Sequence, residues 1–191
     1  MPATRLHLVV PSDPGPDPAA CFSAACEAGG IASLLAPAAL APQFLAASRR
    51  HDVALLTTDP GVARTLGCDG VEVSSRPGYD AAREILGYNH IVGVFCGASR
   101  HLAMELADAG ADYIAFSQGS DRPDAEPLIA WWSELFEIPC IAADPAAPES
   151  LAALLSQRPD FIRPADAMWR SPEDARAIIS ATRRAIGILD S

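Results

Sequence analysis

Short runs of β-branched and other apolar residues alternate with longer Ala- and Leu-rich stretches from one end of the chain to the other. This is the pattern of βα units repeated around a parallel sheet. Eight units are predicted. The strands fall at Arg5–Val10, Ile31–Ala36, Val53–Thr57, Gly70–Ser74, Ile91–Cys96, Tyr113–Ser117, Pro139–Ala143 and Phe161–Pro164. The helices between them fall near Pro18–Ala28, Ala38–Arg50, Gly61–Leu66, Tyr79–Leu86, Ser99–Ala109, Leu128–Phe136, Pro148–Gln157 and Pro172–Ile188. In the last of these, Ala175, Ile178, Ile179, Thr182, Ala185, Ile186 and Leu189 recur near helical spacing, so one face is expected to cover the sheet. Eight units favour an α/β class fold closed as a single compact (β/α)8 TIM barrel over an open doubly wound sheet.

The residues between the runs support these boundaries. Asp59-Pro60 and Ser171-Pro172 set a capping oxygen ahead of a proline whose missing N–H does no harm in a first helical turn. Asp144-Pro145 has the same form. Ser171-x-x-Asp174 resembles a capping box with Asp in place of Glu. Gly29, Gly67, Gly87 and Gly110 follow predicted helices, where a left-handed residue permits a tight turn into the next strand. No charge run or long linker interrupts the order, so one domain accounts for the whole chain.

Length and composition narrow this picture. At 191 residues and 50% hydrophobic, the chain can bury a sizeable core, but barrels of this kind typically need about 250 residues, so the loops must be short. The net charge of −10 argues against a nucleic-acid partner, which needs clustered cations. There is no lysine among the 191 residues. A bound anion must therefore be held by Arg, backbone N–H groups or a helix N-terminus, and lysine Schiff-base chemistry is excluded. Cys21, Cys26, Cys68, Cys96 and Cys140 are odd in number and lack Cys-x-x-Cys or zinc-ligand spacing, which points to a reducing cytoplasm. Neither a signal peptide nor a membrane span is expected.

Four fragments in the middle of the chain carry a family resemblance: Leu66-Gly-Cys-Asp-Gly-Val-Glu-Val73, Ala82-Arg83-Glu-Ile-Leu-Gly87, Ile91-Val-Gly-Val94 and Ala109-Gly-Ala-Asp-Tyr-Ile114. In this order and spacing they resemble the thiamine phosphate synthase and thiazole tautomerase family. The resemblance implies a (β/α)8 barrel that couples a pyrimidine diphosphate to a thiazole phosphate, with Mg²⁺ on the diphosphate leaving group. Asp59 matches the first metal carboxylate of the family's Asn-Asp-Arg motif, flanked here by Thr58 and Pro60. After the fourth strand the family's Gly-Val-His-Leu-Gly-Gln-x-Asp becomes Gly70-Val-Glu-Val-Ser-Ser-Arg-Pro77, which puts Arg76 at the second metal carboxylate. Asp80, about a helical turn away, is the substitute metal ligand. The family's Gln-Leu-Arg-x-Lys becomes Ser33-Leu-Leu-Ala-Pro37, and its Ser-Thr-His becomes approximately Phe95-Cys-Gly97. The lysine-bearing loop becomes Ser117-Gln-Gly-Ser-Asp-Arg122. The Gly-Gly loop after the seventh strand becomes Ala142-Ala-Asp144-Pro.

Barrel sites form at the carboxyl ends of strands. That rule nominates Ser75, Arg76, Ser117, Gln118, Arg122, Arg163, Asp166 and Arg170 for a phosphorylated small molecule, and Asp59 and Asp80 for magnesium. Ser74, Cys96, Ser120 and Asp144 share this rim. Each has a plainer reading. Asp59 and Asp144 also suit helix caps, Arg76 and Arg122 solvated loops, and Cys96 a buried thiol without a His partner. Arg163 interrupts the eighth strand and must pair if it points inward, with Asp166 as the nearest acid, or snorkel outward. Trp131-Trp132 with Leu135 and Phe136 packs a helix on the sheet or buries part of a homodimer contact. Two functions follow: a divergent thiamine phosphate synthase, or a catalytically silent barrel that binds a phosphorylated ligand.

Overall fold

The computed structural model describes residues 4–117 and 127–189. Eight parallel strands close into a barrel in sequence order, and β8 returns to pair with β1. The strands are β1 (Arg5–Val9), β2 (Ile31–Ala36), β3 (Ala54–Thr57), β4 (Gly70–Val73), β5 (Ile91–Gly97), β6 (Tyr113–Phe116), β7 (Cys140–Ala146) and β8 (Phe161–Pro164). The helices are α1 (Pro18–Ala28), α2 (Leu45–His51), α3 (Pro60–Leu66), α4 (Arg76–Leu86), α5 (Arg100–Asp108), α6 (Leu128–Leu135), α7 (Leu151–Leu155) and α8 (Pro172–Leu189). No helix among the described residues is long and apolar enough to cross a membrane.

The strand pleat sorts side chains into two cores, because successive residues point to opposite faces. Leu6, Leu8, Leu34, Leu55, Val71, Val92, Val94, Ile114, Phe116 and Ile162 face outward and pack with helix residues such as Phe22, Ala82, Leu106, Trp132 and Ile179. Leu35, Leu56, Tyr113, Ala115 and Ile141 face inward and form a second, separate cluster. The aromatic pair in α6 belongs to the helix–sheet layer: Trp132 is fully buried, stacks on Phe136 at 4.0 Å between ring centroids, and donates through Nε1 to the Ile138 carbonyl.

Five elements differ from the sequence expectation. The helix expected from Ala38 opens as a 3-10 turn, Ala41–Phe44, with proline in its first turn. The α4 helix starts at Arg76 rather than Tyr79, because Ser75 is its N-cap and Pro77 sits in the first turn, where proline is tolerated. The β7 strand continues through Asp144 and Pro145 to Ala146, past an irregularity in its pairing with β8, so Asp144 caps no helix. Proline is accepted there because a bulge needs no ladder N–H. The following helix is only Leu151–Leu155, preceded by a 3-10 turn at Pro148–Ser150. A further 3-10 turn, Asp166–Trp169, links β8 to α8.

A repeated device fastens the amino end of the barrel. Asp69, Asp112 and Asp160 each stand just before an even-numbered strand. Their carboxylates accept the Leu55, Val92 and Cys140 backbone N–H groups at 2.7, 2.7 and 2.8 Å. The aspartate N–H in turn donates to the carbonyl of the same residue. The strands β3, β5 and β7 thus each gain a charge-assisted bond at an N–H within their first two residues. Replacing Asp160 with Ala is expected to cost about 1–3 kcal/mol, the penalty for orphaning one buried donor. Urea unfolding checks this, and an unchanged midpoint would show that water replaces the carboxylate.

Candidate functional site

Most rim residues named from the sequence are already engaged by the protein. Asp59 is the N-cap of α3, its Oδ1 accepting the Val62 N–H at 2.8 Å. The Ser75 hydroxyl accepts the Gly78 N–H at 3.2 Å at the start of α4. Arg76 turns to the outer flank, where its Nε donates to both oxygens of Asp80 at 3.0 Å and its Nη1 reaches Glu105 of α5 at 3.5 Å. The i, i+4 spacing puts Asp80 on the same helix face, so the nominated cation and the nominated metal carboxylate neutralise each other. Ser117 donates to Asp144. Gln118, Ser120 and Arg122 lie outside the described residues.

At β8 the inward reading of Arg163 holds. Its Nη2 donates to both Asp166 oxygens at 2.8 and 2.9 Å, and its Nη1 to the Ala143 carbonyl at 3.4 Å. The rim beside it is hollow. A pocket of about 320 Å³ is lined by Asp13, Pro14 and Gly15 of the first βα loop and by Asp166, Trp169 and Arg170 of the last. Trp169 closes its floor by donating from Nε1 to the Val9 carbonyl at 3.0 Å. A larger hollow of about 430 Å³, lined by Arg5, Ser48, Arg49, Asp52 and Asp69, opens at the amino-end face. Barrels place their chemistry at the other end, and Asp69 is already committed to Leu55.

Beneath the rim, inside the barrel, the structure gathers polar residues that the sequence reading did not single out. Glu72 of β4 accepts the Tyr113 hydroxyl of β6 at 3.0 Å. His7 of β1, 1% exposed, hydrogen-bonds through Nδ1 to the Ser33 hydroxyl of β2 at 2.8 Å. The His7 and Tyr113 rings lie 6.1 Å apart. Tyr113 reaches Glu72 by lying over Gly93 of β5, the residue paired in register with both. A Cβ at Gly93 would fall 1.9 Å from the tyrosine Cζ. Val92, Val94 and Cys96 face the outer core, so Phe95 shares the inner face with Gly93, one layer nearer the rim, and is 37% exposed. One signal was available in the sequence: Glu72 is a lone charge between Val71 and Val73, at an inward position of a barrel strand.

Burial shapes the electrostatics of this interior. It pushes the Glu72 carboxyl up to about 7, against the Tyr113 hydrogen bond and the Arg163 charge, which both favour the carboxylate. His7 is pushed down to about 3 by burial and by the Arg163 charge, so its ring is neutral. Cys96 is raised to about 12, by burial first and the Glu72 charge second. It is therefore an unreactive thiol. The raised Glu72 value means that the folded protein holds a proton which the unfolded chain has released above about 4.5. This group's contribution to stability is present at lower pH and is lost as pH rises from there through about 7.

The described residues do not fit a protein-held magnesium ion. Asp59 has one oxygen committed to its cap, Asp80 is neutralised by Arg76, and no group of three His, Cys, Asp or Glu side chains among the described residues could hold a metal.

A family model described as thiamine monophosphate synthase matches residues 36–162. The thiamine-phosphate synthase of Erythrobacter litoralis is 41% identical over 155 residues, covering 75% of this chain and 72% of the relative. That of Rhodospirillum centenum is 34% identical over 201 residues, covering 94% of this chain and 96% of the relative. Among solved structures, a thiamine phosphate pyrophosphorylase from Pyrococcus furiosus superposes with a TM-score of 0.81 at 21% identity, covering 98% of this chain and 97% of that one. At that identity the superposition speaks for the fold alone.

Proposed function

We propose, since this chain belongs to the thiamine monophosphate synthase family, that it acts in thiamine biosynthesis by coupling a pyrimidine diphosphate to a thiazole phosphate. The observation that carries this reading is the end-to-end match to a thiamine-phosphate synthase, 34% identical with 94% of this chain aligned.

The phosphate groups belong at the carboxyl-end rim, and heterocycles in the lumen beneath it. Departure of a diphosphate leaves negative charge that the site must stabilise. In a chain without lysine, guanidinium groups and backbone N–H groups take that part. Arg170 lines the rim pocket. Arg163, tied to Asp166, adds positive potential at the lumen mouth and holds the rim turn in place. Ser117, Gln118 and Arg122 complete the proposed phosphate contacts, and the barrel works in the cytoplasm as a monomer or homodimer. Magnesium arrives, in this reading, with the diphosphate rather than on a preformed carboxylate cage, since Mg²⁺ often binds through substrate phosphates and few protein ligands.

The test is formation of thiamine phosphate and release of diphosphate by purified protein, with and without Mg²⁺. Turnover is expected, with Arg170→Ala weakening phosphate-ligand binding about tenfold, the loss of about 1.4 kcal/mol for one charge-assisted contact. One observation favours a second reading, a silent barrel that binds a phosphorylated molecule: the family's second metal carboxylate is Arg76, neutralised by Asp80. No turnover with both substrates saturating, together with a thermal shift on adding phosphate ligands, would select it.

A further inference from the structure

The amino end of the barrel, the face away from the rim, carries two hollows that share a wall. The first is a cavity of about 250 Å³ in the base of the lumen, walled by Leu56, Ile91, Tyr113, Ile141 and Phe161. These side chains come from five strands and belong to the inner cluster. Ile91 and Phe161 are only partly buried, so the base of this core stays open where layers of side chains ordinarily fill a barrel. The second is the polar hollow of about 430 Å³ beside α2. Arg5, Ala32 and Ala54 line both. Short side chains at two of these three positions leave the apolar and polar spaces adjoining.

The cations of this face are unspent. Arg5 donates to the Ile31 carbonyl at 3.3 Å, and the Arg49 guanidinium lies beside Gly67, where an added Cβ would stand 3.5 Å from Nη2. Neither is ion-paired among the described residues. The Ser48 hydroxyl of α2, 2% exposed and without a hydrogen-bond partner, lies in the wall of the same hollow. The carboxylates nearby are differently placed. Asp69 is committed to the Leu55 N–H, and Asp112, beside the lumen cavity, to Arg83 and the Val92 N–H. Asp52 is the one other carboxylate among the described lining residues. Two guanidinium groups facing one uncommitted carboxylate suit a ligand with a single negative charge, and a planar carboxylate matches the guanidinium fork.

We propose that the amino-end face holds a binding site for a monocyclic aromatic carboxylate, with the ring in the base of the lumen and the carboxylate against Arg5 and Arg49 in the adjoining hollow. An apolar cavity with a few convergent polar groups at its mouth is the usual form of a small-molecule site. An inorganic anion would leave the lumen base empty, and an uncharged ring would leave both guanidinium groups without a counterion. The site lies at the opposite end from the proposed chemistry. It goes beyond the function above and does not rest on it.

NMR titration of the full chain with benzoate, benzyl alcohol and acetate is the test. Benzoate is expected to bind with a dissociation constant on the order of 1 mM, the scale for so small a ligand, and to shift the amides of Ala32, Ala54 and Phe161. Benzyl alcohol, which lacks the charge, and acetate, which lacks the ring, should each bind at least about tenfold more weakly. Arg5→Ala should remove most of the preference for benzoate over benzyl alcohol and Arg49→Ala part of it, while Arg170→Ala at the rim should leave it intact. Ala54→Leu, which fills the wall shared by the two hollows, should weaken benzoate and benzyl alcohol alike. Arg49 is exposed on α2, so its variant decides the matter even if the filled one does not fold. No binding of benzoate at about 10 mM, equal affinity for benzoate and benzyl alcohol, shifts confined to rim residues, or a preference that survives both Arg5→Ala and Arg49→Ala would overturn the proposal. None of these readouts involves turnover, so failure of the synthase assay leaves this site standing, and its own failure leaves the synthase reading standing.

Discussion

Replacing Arg83 with alanine is expected to lower the unfolding free energy by about 3 kcal/mol, the scale for stripping a buried guanidinium from several backbone and side-chain acceptors, the half-exposed Asp112 among them. The side chain is 8% exposed. Its Nε donates to the Tyr79 hydroxyl at 3.1 Å, its Nη1 to the Gly87 and His90 carbonyls at 3.2 and 3.0 Å, and its Nη2 to the Gly110 carbonyl and Asp112 at 2.7 and 2.8 Å. All five donors are used. They tie α4 to the turns that enter β5 and β6, and they brace Asp112, which holds the Val92 N–H. Arg83→Lys should recover little, because an ammonium gathers its three donors at one point and cannot span this fork. At about 2–4 °C per kcal/mol for a domain of this size, the alanine variant should melt roughly 10 °C lower. A loss below about 1 kcal/mol in urea would mean that the carbonyls are rehydrated without cost.

The second large effect is expected at Gly93. An alanine methyl there would lie 1.9, 2.2 and 2.4 Å from three Tyr113 ring atoms, so the ring must leave its place or the strand must move. Overpacking of this kind costs about 1–3 kcal/mol and sometimes more. Displacing the ring also breaks the bond to Glu72, worth about 1.5–3 kcal/mol above about pH 7, where the carboxyl is ionised. A total near 4 kcal/mol is expected for Gly93→Ala. The mechanism has its own check, since Gly93→Ala combined with Tyr113→Ala should cost clearly less than the two separate losses added together. Strict additivity would show that the methyl is opposed by something other than the tyrosine.

The barrel was legible because parallel strands buried on both faces read as apolar runs, and each run is bounded by a turn or a cap. What escaped was local. The first turn of α4 was hidden by Pro77, which reads as a breaker unless Ser75 is seen as the cap. The strand through Asp144-Pro145 was hidden by a pair that more often opens a helix. The Arg163–Asp166 pair could be foreseen from its i, i+3 spacing. The Glu72–Tyr113 pair could not. Its partners are 41 positions apart, and they meet only because the strand between them offers a residue without a side chain. Gly93 and Tyr113 both sit in fragments that signal the family, but a fragment names its residues without saying that one lies across the other. Arg76 shows the reverse: its position on the rim was right, yet a carboxylate one turn along the same helix binds it first.

The aspartates before β4, β6 and β8 couple these three strands to the odd strands preceding them, at the end of the barrel away from the proposed chemistry. Closure of the cylinder is thereby secured from below. The loops above can exchange lysines for arginines, drop glycines or reverse a charge without loosening the ring, and a lineage can rewrite its catalytic equipment while inheriting the same frame.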